Sequence, residues 1–228
     1  MIEWKNITVN YGEHNVIDGL SAKFPLGKTI GVAGLNGAGK TTLFNCFSKN
    51  NIVYSGDFLI NNKEIIKRDI SYLTTTNFFY SYITGGEYLG LFKNNSKLFN
   101  EESLAALLAI PLEELIDNYS TGMKKKLALM SILKQDSPIY IFDEPFNGLD
   151  LESNKILEII LEKLKSEGKT IFISSHIIAP LKNICDEILI LHQGKIKNLY
   201  NAENFEHIEN DLYRDMEQNA RLILGMDI

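Results

Sequence analysis

The chain has 228 residues, of which 45% are hydrophobic and 23% charged, as in globular proteins that bury a substantial core. Its formal net charge of −6 argues against a general nucleic-acid binder, which needs an excess of lysine and arginine to neutralise phosphates. No apolar run approaches the roughly 20 residues that span a bilayer, and the first residues lack the apolar core of a signal peptide. We therefore expect any contact with a membrane to be made through another polypeptide.

The first third of the chain is predicted to consist mainly of short strands. Apolar runs and alternating patterns predict strands at residues 2–9, 15–24, 29–33, 57–60 and 70–73. A turn is predicted at residues 11–13, between the first two strands. Asn61 and Asn62, which lie between two apolar stretches, predict a hairpin.

The segment after the third strand is suited to hold a nucleoside triphosphate. Residues 34–41 match G-x-x-x-x-G-K-[ST], with a predicted strand before them and a predicted helix after them. The glycines let the backbone direct its N–H groups at phosphates, and the helix N-terminus adds partial positive charge. Lys40 can then reach the β- and γ-phosphate oxygens, and the Thr41 hydroxyl can bind Mg²⁺. We predict that the chain binds ATP or GTP.

From about residue 84 the pattern becomes helical, and strands return after residue 138. Predicted helices lie at residues 87–92, 104–110, 123–133 and 151–166, and predicted strands at 139–142, 170–174, 188–191 and 196–199. Gly168 is a favoured helix stop, and Gln193 with Gly194 predicts a closing hairpin. A polar helical tail is expected over residues 201–228. This order predicts an α/β fold whose parallel-sheet core is interrupted by helices.

Two strand ends carry side chains suited to phosphate chemistry. The buried strand at residues 139–142 leads into Asp143 and Glu144, and the strand at 170–174 leads to His176. An acid at such a strand end holds Mg²⁺ in enzymes with a phosphate loop, which suits Asp143. Glu144 can act as general base on the attacking water. The His176 ring can hydrogen-bond the γ-phosphate.

A polar segment before the helix at 123–133 is the next distinctive feature. Ser120 is predicted to cap the N-terminus of that helix. Residues 124–126 are three consecutive lysines, which oppose the helix dipole in the first turn. An anion docked at this helix end would explain them, but we interpret the individual lysines as solvated. Cys46 and Cys185 lie in apolar segments and are predicted to be reduced packing residues.

These motifs, taken together, resemble those of the ATP-binding cassette (ABC) ATPases over nearly the whole chain. Residues 34–42 match the family's phosphate loop, and residues 120–123 match its signature loop. Residues 143–145 match the acids that bind magnesium and act as base, and residues 147–150 match the D-loop. His176 resembles the family's switch histidine, and Tyr11 resembles the aromatic residue that stacks on adenine. The resemblance implies a P-loop NTPase core with a mostly parallel sheet, an N-terminal antiparallel β subdomain and an inserted α-helical subdomain. We expect a single domain over residues 1–228, with the core at about 1–75 and 138–228 and the helical subdomain at about 76–137.

The resemblance also implies a role for each site residue. Contacts to ATP are expected from Tyr11, Gly34, Asn36, Gly37, Ala38, Gly39, Lys40, Thr41, Thr42, Ser120, Gly122 and Asp150. Catalytic roles are expected for Glu144, His176 and Lys40, and contacts to Mg²⁺ for Thr41, Asp143 and Thr75.

The chain departs from the family pattern at two positions. Thr121 stands where the signature loop usually has a second glycine. Thr75 stands where the family usually has a glutamine that touches Mg²⁺ and the attacking water, with Thr74, Thr76 and Asn77 as nearby substitutes. A threonine has less reach, so we expect slower hydrolysis or a water-bridged metal contact.

The resemblance implies a cytoplasmic ATPase, peripheral on the inner face of the cell membrane, that powers transport through an integral membrane permease. Two cassettes, either identical or paralogous, would form a head-to-tail dimer with each ATP between the phosphate loop of one and Ser120 and Gly122 of the other. Export of a lipid, peptide or drug-like compound is the favoured function, with no nucleic-acid partner. A soluble cassette ATPase, such as one acting in iron–sulfur cluster assembly, is the alternative. A slowly hydrolysing regulatory module is a third hypothesis.

Overall fold

A computed structural model of the chain describes residues 1–50, 52–96, 99–213 and 223–224. Its strands are β1 (Ile2–Tyr11), β2 (His14–Phe24), β3 (Thr29–Ala33), β4 (Ser55–Ile60), β5 (Lys63–Glu64), β6 (Ile70–Leu73), β7 (Ile139–Asp143), β8 (Thr170–Ser175), β9 (Glu187–His192) and β10 (Lys195–Asn201). Its helices are α1 (Lys40–Phe47), α2 (Gly85–Gly90), α3 (Glu101–Leu107), α4 (Thr121–Gln135), α5 (Leu151–Ser166) and α6 (Ile178–Ile184). Each strand predicted from the sequence is present.

The larger sheet is mostly parallel and has the strand order β10-β9-β3-β8-β7-β6. Only β10 runs antiparallel to its neighbour among these strands. Every residue of β3, β7 and β8 is buried, as expected for parallel strands that are covered on both faces. The carboxyl ends of β3, β6, β7 and β8 therefore meet at one edge of the sheet, where ligands bind in folds of this kind.

The smaller sheet is antiparallel, with the order β2-β1-β4-β5. The predicted hairpin between β4 and β5 is confirmed, because Asn61 and Asn62 both take left-handed backbone angles, with φ of 49° and 64°. The predicted turn between β1 and β2 is shorter than expected. Tyr11 is the last residue of β1 and pairs with His14, so only residues 12–13 form the turn.

An aromatic cluster joins the two sheets. Trp4 on β1 lies 5.3 Å, centroid to centroid, from Phe172 on β8 of the larger sheet. Phe24, Phe47 and Phe58 complete the cluster, and all five side chains are at most 1% exposed. Burying a large apolar side chain contributes about 1.5–3 kcal/mol. The cluster therefore holds β1 and α1 close to the centre of the parallel sheet.

The inserted segment between β6 and β7 contains α2, α3 and α4, as the helical pattern predicted. Thr84 and Glu87 cap α2 reciprocally, and Asn100 caps α3 by accepting from the Ser103 N–H. The division of the chain into a core and a helical subdomain stays a prediction. Within the described residues, no helix is long and apolar enough to cross a bilayer.

The helices after β7 are only partly as predicted. The bounds of α5 are confirmed, and the chain leaves it at Gly168, whose φ is 74°. No helix was predicted at α6. Of the expected tail helix over 201–228, the described residues show a 3₁₀ turn at Ala202–His207 followed by helical residues at 208–213, and residues 214–222 and 225–228 lie outside the described part of the chain.

Both cysteines are free and buried, as predicted. Burial raises the pKa of the Cys46 thiol to about 12. It also raises the pKa of Cys185, and the carboxylate of Asp186 adds to that shift. Both groups therefore stay protonated and unreactive near neutral pH.

Candidate functional site

The phosphate loop connects β3 to α1 at the edge where the parallel strands end. Gly39 precedes the helix with a φ of 104°, and a Cβ atom there would lie 2.8 Å from the Ile17 side chain. A Cβ on Gly34 would lie 2.5 Å from the carbonyl oxygen of Leu191. Glycine is thus required at both positions. Gly39 has a left-handed backbone angle, and at both Gly39 and Gly34 a side chain would clash with a neighbouring atom.

The Lys40 ammonium lies within this loop and is nearly buried. Its Nζ donates to the carbonyl oxygens of Gly34 at 2.7 Å and Leu35 at 3.3 Å. The same Nζ lies 3.4 Å from Glu144 Oε1. The loop carbonyls and the Glu144 carboxylate thus hold the cation at the floor of the cleft.

Asp143 ends β7 and is fully buried beneath the loop. Its Oδ2 accepts hydrogen bonds from the hydroxyls of Thr41 and Thr75, each at 2.7 Å. The Tyr72 hydroxyl lies 3.5 Å from the same oxygen, and burial together with the Asp143 charge raises the pKa of Tyr72. Ser174 on β8 donates to Oδ1. One carboxylate thus collects hydroxyl groups from four separate elements or loops.

The oxygen atoms around Asp143 fit a magnesium ion. Mg²⁺ prefers hard oxygen ligands and is usually held by one or two carboxylates together with hydroxyls, water and phosphate oxygens. Thr41 Oγ1, Thr75 Oγ1 and Asp143 Oδ2 supply this chemistry within one hydrogen-bonded group. These three residues are the ones expected to contact the metal.

Glu144 follows directly and points into the cleft. Its Oε2 lies 2.9 Å from His176 Nδ1 and accepts from the Asn147 side-chain amide at 3.4 Å. The Glu144 backbone is left-handed, with φ of 50°, and its N–H donates to Ser174 Oγ at 2.9 Å. Such angles are uncommon outside glycine and persist where surrounding contacts enforce them. The carboxylate is therefore aimed by its backbone as well as by its neighbours.

The cleft over these groups has a volume of about 500 Å³. It is lined by ten residues that the sequence predicted, Asn36, Gly37, Ala38, Gly39, Lys40, Thr41, Thr42, Thr75, Glu144 and His176. Val16 and Asn147 also line it. A wider depression of about 800 Å³ near Asn198 and Asp211 contains none of the predicted site residues.

Five predicted nucleotide contacts are not among the residues that line this cleft: Tyr11, Gly34, Ser120, Gly122 and Asp150. Tyr11 is half exposed at the end of β1. Ser120 caps α4 by accepting from the Met123 N–H at 3.2 Å, and Asp150 caps α5 by accepting from the Ser153 N–H at 2.8 Å. A Cβ on Gly122 would lie 3.2 Å from the carbonyl oxygen of Gly148, so the signature loop packs beside the D-loop.

The interpretation of the lysine run as solvated is wrong for two of its members. Lys125 is 8% exposed and donates to the carbonyl oxygens of Glu144 and Asn147. Lys126 lies 3.7 Å from Asp150 Oδ2, with its side chain 14% exposed. The sequence reasoning also missed Ser174, although a serine at the end of a strand that leads to His176 is a usable signal.

Comparison with known proteins identifies the family of the chain. The family model described as ABC transporter matches residues 17–147. The bacitracin transport ATP-binding protein BcrA of Enterococcus faecalis is 32% identical over 95% of this chain and 74% of its own length. The lantibiotic transport ATP-binding protein SrtF of Streptococcus pyogenes is 29% identical over 92% and 96%. The manganese transport system ATP-binding protein MntB of Bacillus subtilis is 30% identical over 90% of each chain.

Solved structures show the same fold. The ATP-binding subunit of an ABC transporter superposes with a TM-score of 0.80 at 26% identity, covering 95% of this chain and 93% of that one. A dimeric ATP-binding cassette bound to ADP and Pi superposes with a TM-score of 0.76 at 20% identity, covering 89% and 99%. The expected P-loop NTPase fold is confirmed, and the chain belongs to the ABC transporter family.

Proposed function

We propose that the chain is the ATP-binding and ATP-hydrolysing subunit of a transporter, and that it acts as a dimer on an integral membrane permease. The observation that carries the proposal is the meeting of Lys40, Thr41, Asp143 and Glu144 around one cleft. Together they supply a cation for phosphates, oxygen ligands for a metal and a carboxylate for water.

Each residue has a distinct part in the proposed reaction. The loop N–H groups and Lys40 bind the phosphates of ATP. Mg²⁺, when bound, would neutralise charge that develops on the β- and γ-phosphate oxygens. Glu144 orients the attacking water and takes its proton. His176 bonds the Glu144 carboxylate and is near enough to the cleft to contact the γ-phosphate. When ATP binds, the Lys40 ammonium must replace its contact with the Glu144 carboxylate by contacts with the phosphates.

The position of Ser120 supports a head-to-tail dimer. Ser120, Gly122 and Asp150 do not line the cleft of their own subunit, and Ser120 and Asp150 are exposed. The N-terminus of α4 carries partial positive charge that a γ-phosphate can use. A second subunit that places this helix end over the cleft would complete the electrostatic enclosure of ATP.

The segment at residues 78–82, which we name the aromatic segment, supports a protein partner on the membrane. Phe78, Tyr80 and Tyr82 are 74%, 56% and 85% exposed, while Phe79 packs inward against Tyr88. Large exposed apolar side chains in one patch mark interaction surfaces. The segment follows Thr75 closely, so a partner bound there would lie near the metal-binding group.

We propose export of a lipid, peptide or drug-like compound from the cytoplasm. The relatives named for bacitracin and lantibiotic transport support the peptide class.

The Glu144→Gln variant tests the ATPase and the dimer together. We expect it to bind Mg·ATP normally, to lose at least about 100-fold in turnover and to accumulate as a dimer, because general-base catalysis contributes about 10²–10⁴-fold. Turnover is measured by phosphate release and assembly by light scattering with and without ATP. Lys40→Ala is the control, because it should lose ATP affinity and stay monomeric. Ordinary turnover in Glu144→Gln, or a monomer saturated with Mg·ATP, would contradict the proposal.

A further inference from the structure

Lys125 is nearly buried, and in the described part of the chain its ammonium hydrogen-bonds two backbone carbonyls of one turn. Its Nζ donates to the carbonyl oxygens of Glu144 at 2.6 Å and Asn147 at 2.7 Å. A buried ammonium is costly unless hydrogen bonds replace its water. Burial lowers the pKa of Lys125 to about 8, while the carboxylates of Glu144 and Asp143 oppose that shift. Lys125 therefore stabilises the segment that contains these two carbonyls.

That segment is the turn at residues 144–147, which begins with the proposed general base. The Asn147 N–H donates to the Glu144 carbonyl at 3.3 Å and closes the turn. Lys125 binds the carbonyls at both ends of the turn, and Ser174 binds the Glu144 N–H. The left-handed Glu144 backbone is thus held from both sides. Removing the ammonium would leave the buried Glu144 carbonyl and the part-buried Asn147 carbonyl with fewer partners.

The first turns of α4 contact this part of the chain at two further points. A Cβ added to Gly122 would lie 3.2 Å from the Gly148 carbonyl oxygen, so the two backbones approach closely, and Lys126 Nζ lies 3.7 Å from Asp150 Oδ2. The helix end that begins at Ser120 is therefore linked directly to the backbone behind Glu144.

We propose that Lys125 is a positioning residue for ATP hydrolysis, whose ammonium holds the 144–147 turn so that the Glu144 carboxylate stays aimed into the cleft. This inference rests on the proposed function and deepens it.

Two substitutions separate hydrogen bonding from packing. Lys125→Met keeps the length and volume of the side chain but removes every donor. Lys125→Gln restores two N–H donors without the charge. We expect Lys125→Met to lower kcat about tenfold or more while KM for ATP stays within about threefold, because the defect lies in positioning and not in binding. Lys125→Gln should keep kcat within about threefold of the wild type.

Lys134 provides a matched control on the same helix. Its Nζ donates to the carbonyl oxygen of Leu89 at 2.9 Å and pairs with Glu101 at 2.7 Å, and neither partner belongs to the turn at residues 144–147. Lys134→Met removes a comparable bond and should leave kcat unchanged.

Backbone hydrogen exchange of the full-length protein gives a readout independent of hydrolysis. The hydrogen-bonded amides of Glu144 and Asn147 should exchange at least about tenfold faster in Lys125→Met than in the wild type, and at the wild-type rate in Lys134→Met. Wild-type exchange or wild-type kcat in folded Lys125→Met would overturn the proposal. So would a folded Lys125→Gln variant whose kcat falls about tenfold or more below that of the wild type, and this outcome can be measured even if Lys125→Met does not fold. If the wild type hydrolyses no ATP, the proposed function fails, and the exchange experiment still tests Lys125.

Discussion

The Thr75 side chain ends at Asp143 and reaches no further. Its hydroxyl donates to Asp143 Oδ2, the oxygen that also accepts from Thr41. The family resemblance leads us to expect a glutamine here, whose longer side chain could extend past the carboxylate towards the attacking water. Thr75 instead adds a second hydroxyl donor to the Asp143 carboxylate, beside that of Thr41. These bonds should fix the orientation of Asp143 but leave the attacking water less ordered.

We therefore expect Thr75→Gln to raise kcat by about three- to tenfold, because the amide adds a direct contact to water or metal. Steady-state phosphate release at several Mg²⁺ concentrations measures the effect. Thr74→Gln is the control, since the Thr74 hydroxyl bonds the Thr76 carbonyl and Asn77 and not Asp143. A Thr75→Gln variant slower than the wild type would show that the threonine is the better residue in this site.

At the scale of residues, the sequence predicted groups whose chemistry is local and missed those defined by packing. Lys40 and Thr41 belong to one short motif, and Asp143 and Glu144 end one apolar strand, so their roles could be inferred from neighbours in the chain. The burial of Lys125 depends on carbonyls 19 and 22 positions away. Three lysines in a row gave no indication of which one points inward.

Among the helices, α4 has an N-terminus with two proposed uses. The Ser120 hydroxyl caps the helix through the Met123 N–H, and in the proposed dimer the same helix end faces the γ-phosphate of the mate. A capping oxygen can keep its bond to the backbone N–H while its own hydrogen is donated to a phosphate. The two uses are therefore compatible.

Substitution of this cap separates the two uses. Ser120→Ala should lower the free energy of unfolding by about 1 kcal/mol, as loss of an N-cap does. It should also weaken ATP-dependent dimerisation of the Glu144→Gln protein. Asn100→Ala, which removes the cap of α3, should cost similar stability and leave dimerisation intact. Equal dimerisation by both variants in light scattering would remove Ser120 from the proposed interface.

Prediction of helices succeeded where the hydrophobic pattern extends over many residues, and failed where a short helix depends on tertiary contacts. The bounds of α5 were predicted because 16 residues repeat an amphipathic pattern between Asp150 and Gly168. The seven residues of α6 include a proline and follow Ile177, which offers no side-chain cap. The order of strands in the larger sheet could not be predicted from the sequence either, because β8 lies between β3 and β7 although it follows both in the chain.

For the whole molecule, the aromatic segment bears on what the ATPase acts upon. We expect wild-type protein to co-purify with an integral membrane protein, and the Phe78→Ser/Tyr80→Ser/Tyr82→Ser variant to lose it, because the exposed rings supply the apolar contact. Mass spectrometry of detergent-extracted complexes measures this. Val53→Ser is the control, since Val53 is 90% exposed and lies between α1 and β4 in the chain. Absence of any integral partner of the wild type would favour a soluble cassette ATPase.

The central position of β3 in the larger sheet affects how the nascent chain folds during synthesis. This strand, which leads into the phosphate loop, is flanked by β8 and β9, whose residues lie some 140 to 160 positions later. Pairings between such distant segments form slowly and leave apolar strands exposed in the meantime. When only the first 169 residues have been synthesised, β3 and its phosphate loop therefore lack both of the strands that flank β3 in the sheet. Tight ATP binding has to wait until nearly the whole polypeptide has emerged.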